Sequence, residues 1–435
     1  MSDLPVLVVG AGPQGLAAAA HLLERGLEPI VLERCDAAGS AVAEWGHVRL
    51  FSAWPELVDA AAARLLASTG WHSPAHAHPT GAEWVRDYLQ PLADALGRHV
   101  RYGSEVTSIT RRGRDKVVES GRAQQPFVVR VRATDGVETR IEARAVIDAS
   151  GTWSTPAPAG ADGVPAIGER AAAERISYRI PDGVDALAGR HVVVVGAGHS
   201  ATHAVLRLCD LARREPTTRV TWVLRRASVG TVFGGGAADD LLERAVLGGK
   251  ARRAVQTGRV ALETGFRVSE IRADGDAVTV VADDGRELTD VAQVFALTGF
   301  RPDVSILSEL RIALDPALEA VAGIAAEIDP NLHSCGSVGA TGAAELAQPE
   351  TGLFIVGAKS YGRAPTFLAL TGYEQVRSVV AHLAGDEEAA ARSELVLPDT
   401  GVCGGAGDFD APTGGGCCAS PALMQIVSAP AGTSA

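Results

Sequence analysis

A chain of 435 residues, 46% of them hydrophobic and 21% charged, is long enough for two or three domains with substantial cores. Its net charge of −12 offers no basic face to offset phosphate repulsion, which excludes a nucleic-acid binder. No apolar run approaches the roughly 20 residues of a membrane helix, and the N-terminus runs straight into a strand without room for a signal peptide, so a cytoplasmic protein without membrane contact is expected.

The first strand, Val6-Leu7-Val8-Val9, runs into Gly10-Ala11-Gly12-Pro13-Gln14-Gly15. The first glycine makes a tight turn, the second lets the backbone approach a phosphate and the third allows close packing of helix on strand. Spacing of this kind also fits an ordinary tight turn. Context favours a dinucleotide pyrophosphate: a helix expected over 16–25 stops at Gly26, and a strand over 29–32 ends in Glu33, where an acid hydrogen-bonds ribose hydroxyls. Arg34 beside it and Arg49 further on are counted with the cofactor-binding residues.

A stretch over 39–78 follows, holding Trp45, Phe51, Trp54 and Trp71. Its His72, His76 and His78 lie in a Pro/Ala loop without carboxylate or thiol partners and read as solvated or capping residues, not metal ligands. Thr80 and Glu83 form a capping box for a helix reaching about 96. Strands are expected near Val100 and Val106 and over 127–133 and 139–147, closing at Ala149-Ser150-Gly151-Thr152 before a Pro/Gly linker over 156–165. Arg111-Arg112 and Arg252-Arg253 read as solvated surface.

Val192-Val193-Val194-Val195 opens a second unit, with Gly196-Ala197-Gly198-His199-Ser200-Ala201 as its turn. Alanine at the third position still permits close packing. The next strand, over 219–224, ends in Arg225-Arg226 instead of an acid. Two guanidiniums there fit a ribose 2′-phosphate, which points to NADPH over NADH; solvated charge at a strand end is the alternative. Two such sites imply two dinucleotides and a hydride passed between them. The unit spans about 189–294 and closes at Ala296-Leu297-Thr298-Gly299-Phe300-Arg301-Pro302-Asp303, an echo of the earlier Ala-Ser-Gly-Thr turn expected where a chain re-enters its first domain. A strand at Gly352-Leu353-Phe354-Ile355-Val356-Gly357 and a helix over 373–384 are expected to return there.

In this layout the chain resembles flavoproteins with two dinucleotide-binding domains. The resemblance implies an α/β fold: an FAD-binding Rossmann-like domain beginning at 1–160, an inserted NADPH-binding Rossmann-like domain at 161–295, the rest of the FAD domain at 296–397 and a flexible Gly/Cys-rich tail at 398–435. Gly196-Ala197-Gly198-His199-Ser200-Ala201 is similar to the GxGxSA turn of flavin-containing monooxygenases, and Ala149-Ser150-Gly151-Thr152-Trp153-Ser154-Thr155-Pro156 resembles their ATGxxSxP stretch. Trp45-Gly46-His47-Val48-Arg49-Leu50-Phe51-Ser52, Asn331-Leu332-His333-Ser334-Cys335-Gly336 and Lys359-Ser360-Tyr361-Gly362-Arg363-Ala364-Pro365-Thr366-Phe367 resemble flavin monooxygenase-like proteins of actinobacterial arsenic-resistance operons.

What this likeness implies is FAD and NADPH as cofactors, with oxygen and a small soft substrate, an arsenical among them, as reactants. Ser150, Gly299 and Gly357 join the cofactor residues. Lys359, after the final FAD strand, is read as a flavin or substrate contact, with a surface lysine as the alternative. Tyr361 and Cys335 are substrate candidates, though an inert buried cysteine fits Cys335 equally well. The monooxygenase fingerprint FxGxxxHxxx departs from the family, because its phenylalanine, histidine and aromatic positions fall on Ala166, Ala172 and Ile176. That departure puts oxygenation in doubt more than flavin or NADPH binding.

Disulfide reductases of this architecture carry CxxxxC or CxxC beside the flavin, whereas Cys35 and Cys209 stand singly and read as buried small hydrophobes. The tail holds Cys403 and the adjacent Cys417-Cys418, half of the six cysteines. Adjacent cysteines close a strained ring poorly, so they suit exchange with an outside thiol or capture of a thiophilic ion at Cys403, Cys417 and Cys418. A disordered extension without function is the alternative. Three functions stay open: a monooxygenase-like FAD/NADPH oxidoreductase, a flavin reductase passing electrons through Cys417 and Cys418 to a thiol, disulfide or metalloid, and a nucleotide- or arsenic-binding protein without turnover. Flavoproteins of this class often form homodimers, for which one chain shows no interface.

Overall fold

The computed structural model describes residues 4–74, 78–227, 229–233, 242–331, 341–364 and 367–395. Short Val/Ile-rich strands bounded by glycine suit parallel sheets covered on both faces. Strand β1 (Val6–Val9) pairs in parallel with β2 (Pro29–Leu32), and β2 with β3 (Val100–Arg101). An antiparallel meander of β4 (Ser104–Arg111), β5 (Phe127–Ala133) and β6 (Glu138–Ala143) follows, before β7 (Ala145–Asp148) returns to the free side of β1. The stretch over 139–147, expected as one strand, is therefore two strands in different sheets. Arg144 sits at the break: its backbone N–H donates to the Pro5 carbonyl at 3.0 Å, tying the crossing to the start of β1.

The chain between β7 and β15 builds a second sheet. Its strands are β8 (Ile176–Ser177), β9 (His191–Val195), β10 (Arg219–Val223), β11 (Ala261–Glu263), β12 (Val268–Asp274), β13 (Ala277–Ala282) and β14 (Glu287–Ala296), in the order β11-β10-β9-β14-β13-β12 with β8 also beside β14. Finally β15 (Leu353–Ile355) pairs in parallel with β7. The first sheet is thus assembled from both ends of the described chain. Helices Pro13–Glu24 and Ala369–Leu383 pack against each other, and the apolar residues of both join the core of the first sheet.

The two echoed turns lie side by side where the chain leaves and re-enters. Ala157 N–H donates to the Gly299 carbonyl and Arg301 N–H to the Thr155 carbonyl, both at 2.9 Å. Glu169 pins the linker to the second sheet by accepting from the backbone N–H groups of Ala159 at 2.9 Å and Ala166 at 2.7 Å and from the Tyr178 hydroxyl at 2.7 Å.

The capping box at Thr80 forms, with Glu83 N–H donating to Thr80 Oγ1 at 3.2 Å and Glu83 Oε2 accepting from Thr80 N–H at 2.7 Å. Its helix is segmented, as α at Gly81–Trp84, π at Val85–Leu89 and α again at Gln90–Leu96. Pro91 has no N–H for the Asp87 carbonyl one turn back, and the Trp71 indole donates to that carbonyl instead, at 2.7 Å.

Arg111 is not the surface residue expected. At 3% exposure it faces inward at the end of β4, with Nε donating to Glu350 Oε1 at 2.8 Å while Arg122 Nη2 donates to Glu350 Oε2 at 2.6 Å. The strand pleat leaves its neighbour Arg112 exposed. Among the described residues no helix is long and apolar enough to cross a membrane.

Candidate functional site

The first glycine turn is shaped by three different demands. Gly10 has a φ of 96°, and a Cβ there would press on the Ala149 carbonyl oxygen at 3.0 Å. A Cβ on Gly15 would overlap the Gly10 carbonyl, whereas one on Gly12 meets nothing within 4 Å. The open side of Gly12 leads to the first turn of helix Pro13–Glu24, whose first intrahelical bond, Leu16 N–H to the Gly12 carbonyl, is 3.0 Å. Amides preceding that bond have no helical acceptor, and with the helix dipole they fit a pyrophosphate. Gln14 packs between the turn and the returning segment, close against Gly357 and Gly372.

Glu33 folds its carboxylate back over the turn, accepting from Ala11 N–H at 2.8 Å and Cys35 N–H at 3.0 Å. Arg34 and Arg49 are exposed, and Arg49 Nη1 donates to the His78 carbonyl. Cys35 is half-exposed, not buried as expected, because it lies on the turn just past β2. Cys209 is buried, and burial raises its thiol to about 11, which keeps it protonated and inert.

Lys359 is no surface lysine. It is 2% exposed, and Nζ donates to Asp148 Oδ2 at 2.7 Å and to Ser150 Oγ at 3.0 Å. Asp148 Oδ1 accepts in turn from the Ser150 hydroxyl at 2.6 Å and backbone N–H at 3.1 Å. This network holds Ser150 against Gly10 from below. Sequence reading missed Asp148, whose only local signal was an acid closing an otherwise apolar strand. Tyr361 is 1% exposed and packs edge-on to Phe367 at 5.3 Å between centroids. Cys335, Cys403, Cys417, Cys418 and His76 lie outside the described residues.

The second turn repeats the construction. Gly196 has a φ of 137°, a Cβ on it would overlap the Leu297 carbonyl, and Gly198 again has open space. Ala201 is fully buried against the sheet, and helix His199–Arg214 begins directly after Gly198. Ser200, in its first turn, lines a small cleft with Trp153, Tyr178 and Gly299. Arg225 and Arg226 follow β10; Arg225 is exposed to solvent, and partial desolvation with the neighbouring Arg226 charge lowers its guanidinium below the ordinary value.

Between the two turns the units touch. Phe51 packs edge-on to His199 at 5.0 Å and stacks with His203 at 5.8 Å between centroids. Burial pushes His203 down from 6.5 to about 4, with His199, His47 and Arg207 adding to the effect. Because the unfolded chain then binds the proton more readily, this group stabilises the fold above about pH 6.5, and that contribution is lost as pH falls towards 4. The unfolding midpoint should therefore drop across this window, and less steeply in His203→Leu. Equal slopes in the two proteins would assign the loss to another group.

Comparison with solved structures finds the same fold in bacillithiol disulfide reductase Bdr (YpdA) from Bacillus cereus, 19% identical over 88% of this chain and 99% of that one, with a TM-score of 0.67. Ornithine hydroxylase PvdA from Pseudomonas aeruginosa is 18% identical over 87% and 99%, with a TM-score of 0.57. DfoA, the cadaverine monooxygenase of desferrioxamine biosynthesis from Erwinia amylovora, is bound to FAD and is 14% identical over 91% and 98%, with a TM-score of 0.59. No curated protein sequence matches the chain. The family profile, in contrast, spans both glycine turns, covering residues 7–321, and on that match the chain belongs to the pyridine nucleotide-disulphide oxidoreductase family.

Proposed function

We propose that the protein is an FAD-containing, NADPH-dependent oxidoreductase of the monooxygenase-like kind, acting on a small soft substrate, with a trivalent arsenical as the first to test. The observation that carries this reading is the pair of matching phosphate cradles, one after β1 and one after β9, each open at its second glycine. The first would hold FAD through the turn at Gly10, Gly12 and Pro13 and through Glu33. The second would hold NADPH through Gly196, Gly198 and Ser200, with Arg225 and Arg226 on the 2′-phosphate. Bound FAD supplies hydride acceptance and electron delivery onward, to oxygen in a monooxygenase or to a disulfide in a reductase. The chain's own residues bind, orient and exclude water. Asp148 and Lys359 hold Ser150 and the first turn in place, and Phe51 covers the face of His199 and His203.

The oxygen branch is favoured because none of the six cysteines forms a CxxC or CxxxxC pair. A second reading, electron delivery to a disulfide through Cys417 and Cys418, draws on the likeness to Bdr over 88% of this chain. Oxygen uptake coupled to product formation, unchanged in Cys417→Ser/Cys418→Ser, supports the first; turnover under anaerobic conditions with a disulfide, lost in that variant, supports the second. Arg225→Ala/Arg226→Ala should weaken NADPH about 100-fold, near 2.7 kcal/mol, and leave NADH unaffected. An unchanged ratio of NADPH to NADH affinity would remove the arginines from the 2′-phosphate.

A further inference from the structure

Segment 44–51 of the first unit meets the second unit at three places. Glu44 Oε2 is 3.3 Å from Arg179 Nε, His47 Nδ1 is 3.7 Å from Asp182 Oδ1, and Phe51 lies against His199 and His203. Arg179 itself spreads over the Trp153 ring at 4.1 Å and the Phe300 ring at 5.2 Å, on the two connecting segments. His199 and His203 are four residues apart on helix His199–Arg214 and so share one face, ~6 Å from each other along the axis.

Besides Trp153 Nε1 and Arg179 Nη1, two histidine nitrogens in this seam stay unsatisfied among the described residues. His47 Nε2 and His203 Nε2 are buried and find no hydrogen-bond partner among the described residues. They come from opposite units. Burial lowers both imidazoles below the ordinary histidine value, so both rings are neutral at pH 7 and each keeps a lone pair. The Asp182 carboxylate favours the His47 proton on Nδ1, which leaves Nε2 as an acceptor. Buried polar atoms without partners are rare in folded proteins and mark places that something else completes.

We propose that His47 and His203 together form the subsite for the carboxamide of the pyridine nucleotide. This rests on the NADPH reading above. A carboxamide presents two N–H donors and one carbonyl acceptor, so it can satisfy the His47 acceptor and either tautomer of His203. The placement agrees with the second glycine turn. His203 lies in the second turn of the helix that this glycine turn opens, one turn beyond His199 and stacked on Phe51.

The test is a binding titration of the FAD-loaded protein, followed by calorimetry, with three ligands. They are NADP⁺, its acetylpyridine analogue, which keeps the carbonyl and lacks the amide N–H₂, and adenosine 2′,5′-bisphosphate, which lacks the ring altogether. The wild type should bind NADP⁺ about tenfold more tightly than the acetylpyridine analogue, as loss of one good hydrogen bond implies. His47→Leu and His203→Leu should each bind the two dinucleotides alike, with adenosine 2′,5′-bisphosphate unchanged. His47→Gln and His203→Gln, which restore an acceptor, should regain part of the preference, a result that packing alone would not give. Leucine variants that keep the full preference overturn the subsite. Failure of adenosine 2′,5′-bisphosphate to bind the wild type overturns the NADPH reading instead.

Discussion

Lys359→Met is expected to destabilise the protein by about 3–5 kcal/mol, the cost of leaving a buried charge without its partner. The side chain of Asp148 is 0% exposed and that of Lys359 1%, so water cannot replace the ammonium. Among the described residues, lysine removal leaves the carboxylate with the two donors of Ser150. The damage should spread to the cofactor site, because Ser150 and the Ala149 carbonyl form the surface on which Gly10 rests. Urea unfolding read with flavin content checks both effects, and the double variant Lys359→Met/Asp148→Leu should recover most of the lost stability by removing both charges. A loss below about 1 kcal/mol in the single variant, the range of solvent-exposed pairs, would show that the ion pair is hydrated.

Gly12→Val and Gly15→Ala should separate binding from folding. A side chain on Gly12 enters open space, so the unfolding midpoint should hold while its methyl groups fill the volume a pyrophosphate needs; FAD affinity is expected to fall at least about 100-fold, near 2.7 kcal/mol. A Cβ on Gly15 instead overlaps the Gly10 carbonyl, and backbone cannot yield as a flexible side chain does. That variant should lose both flavin and about 1–3 kcal/mol of stability. Flavin absorbance per chain and a thermal melt distinguish the two. A Gly12→Val protein that keeps its full flavin complement would remove this turn from the cofactor site.

Both glycine turns, the strands that feed them and the capping box at Thr80 were legible in the amino-acid order, because each depends on residues a few positions apart. A left-handed glycine, a β-branched run or a Thr/Glu pair at three-residue spacing acts through its own backbone. Even so, local rules misplaced the break at Arg144, since two strands joined end to end with no glycine or proline between them look like one. They also took Arg111 for surface, since arginine burial depends on whether a carboxylate such as Glu350 is brought to meet it from 239 residues away.

The sequence by itself determined two α/β units, each opening on a strand and a glycine turn, and the backbone shape of those turns. Tertiary structure alone decided what stands around those turns. Lys359 and Asp148 are 211 residues apart, and only the parallel pairing of β15 on β7 makes them an ion pair. Phe51 stacks with His203, and His47 faces Asp182, only because segment 44–51 closes onto the second unit. Backbone geometry is written locally, whereas charge pairing and unsatisfied buried atoms belong to whichever segments the topology places in contact.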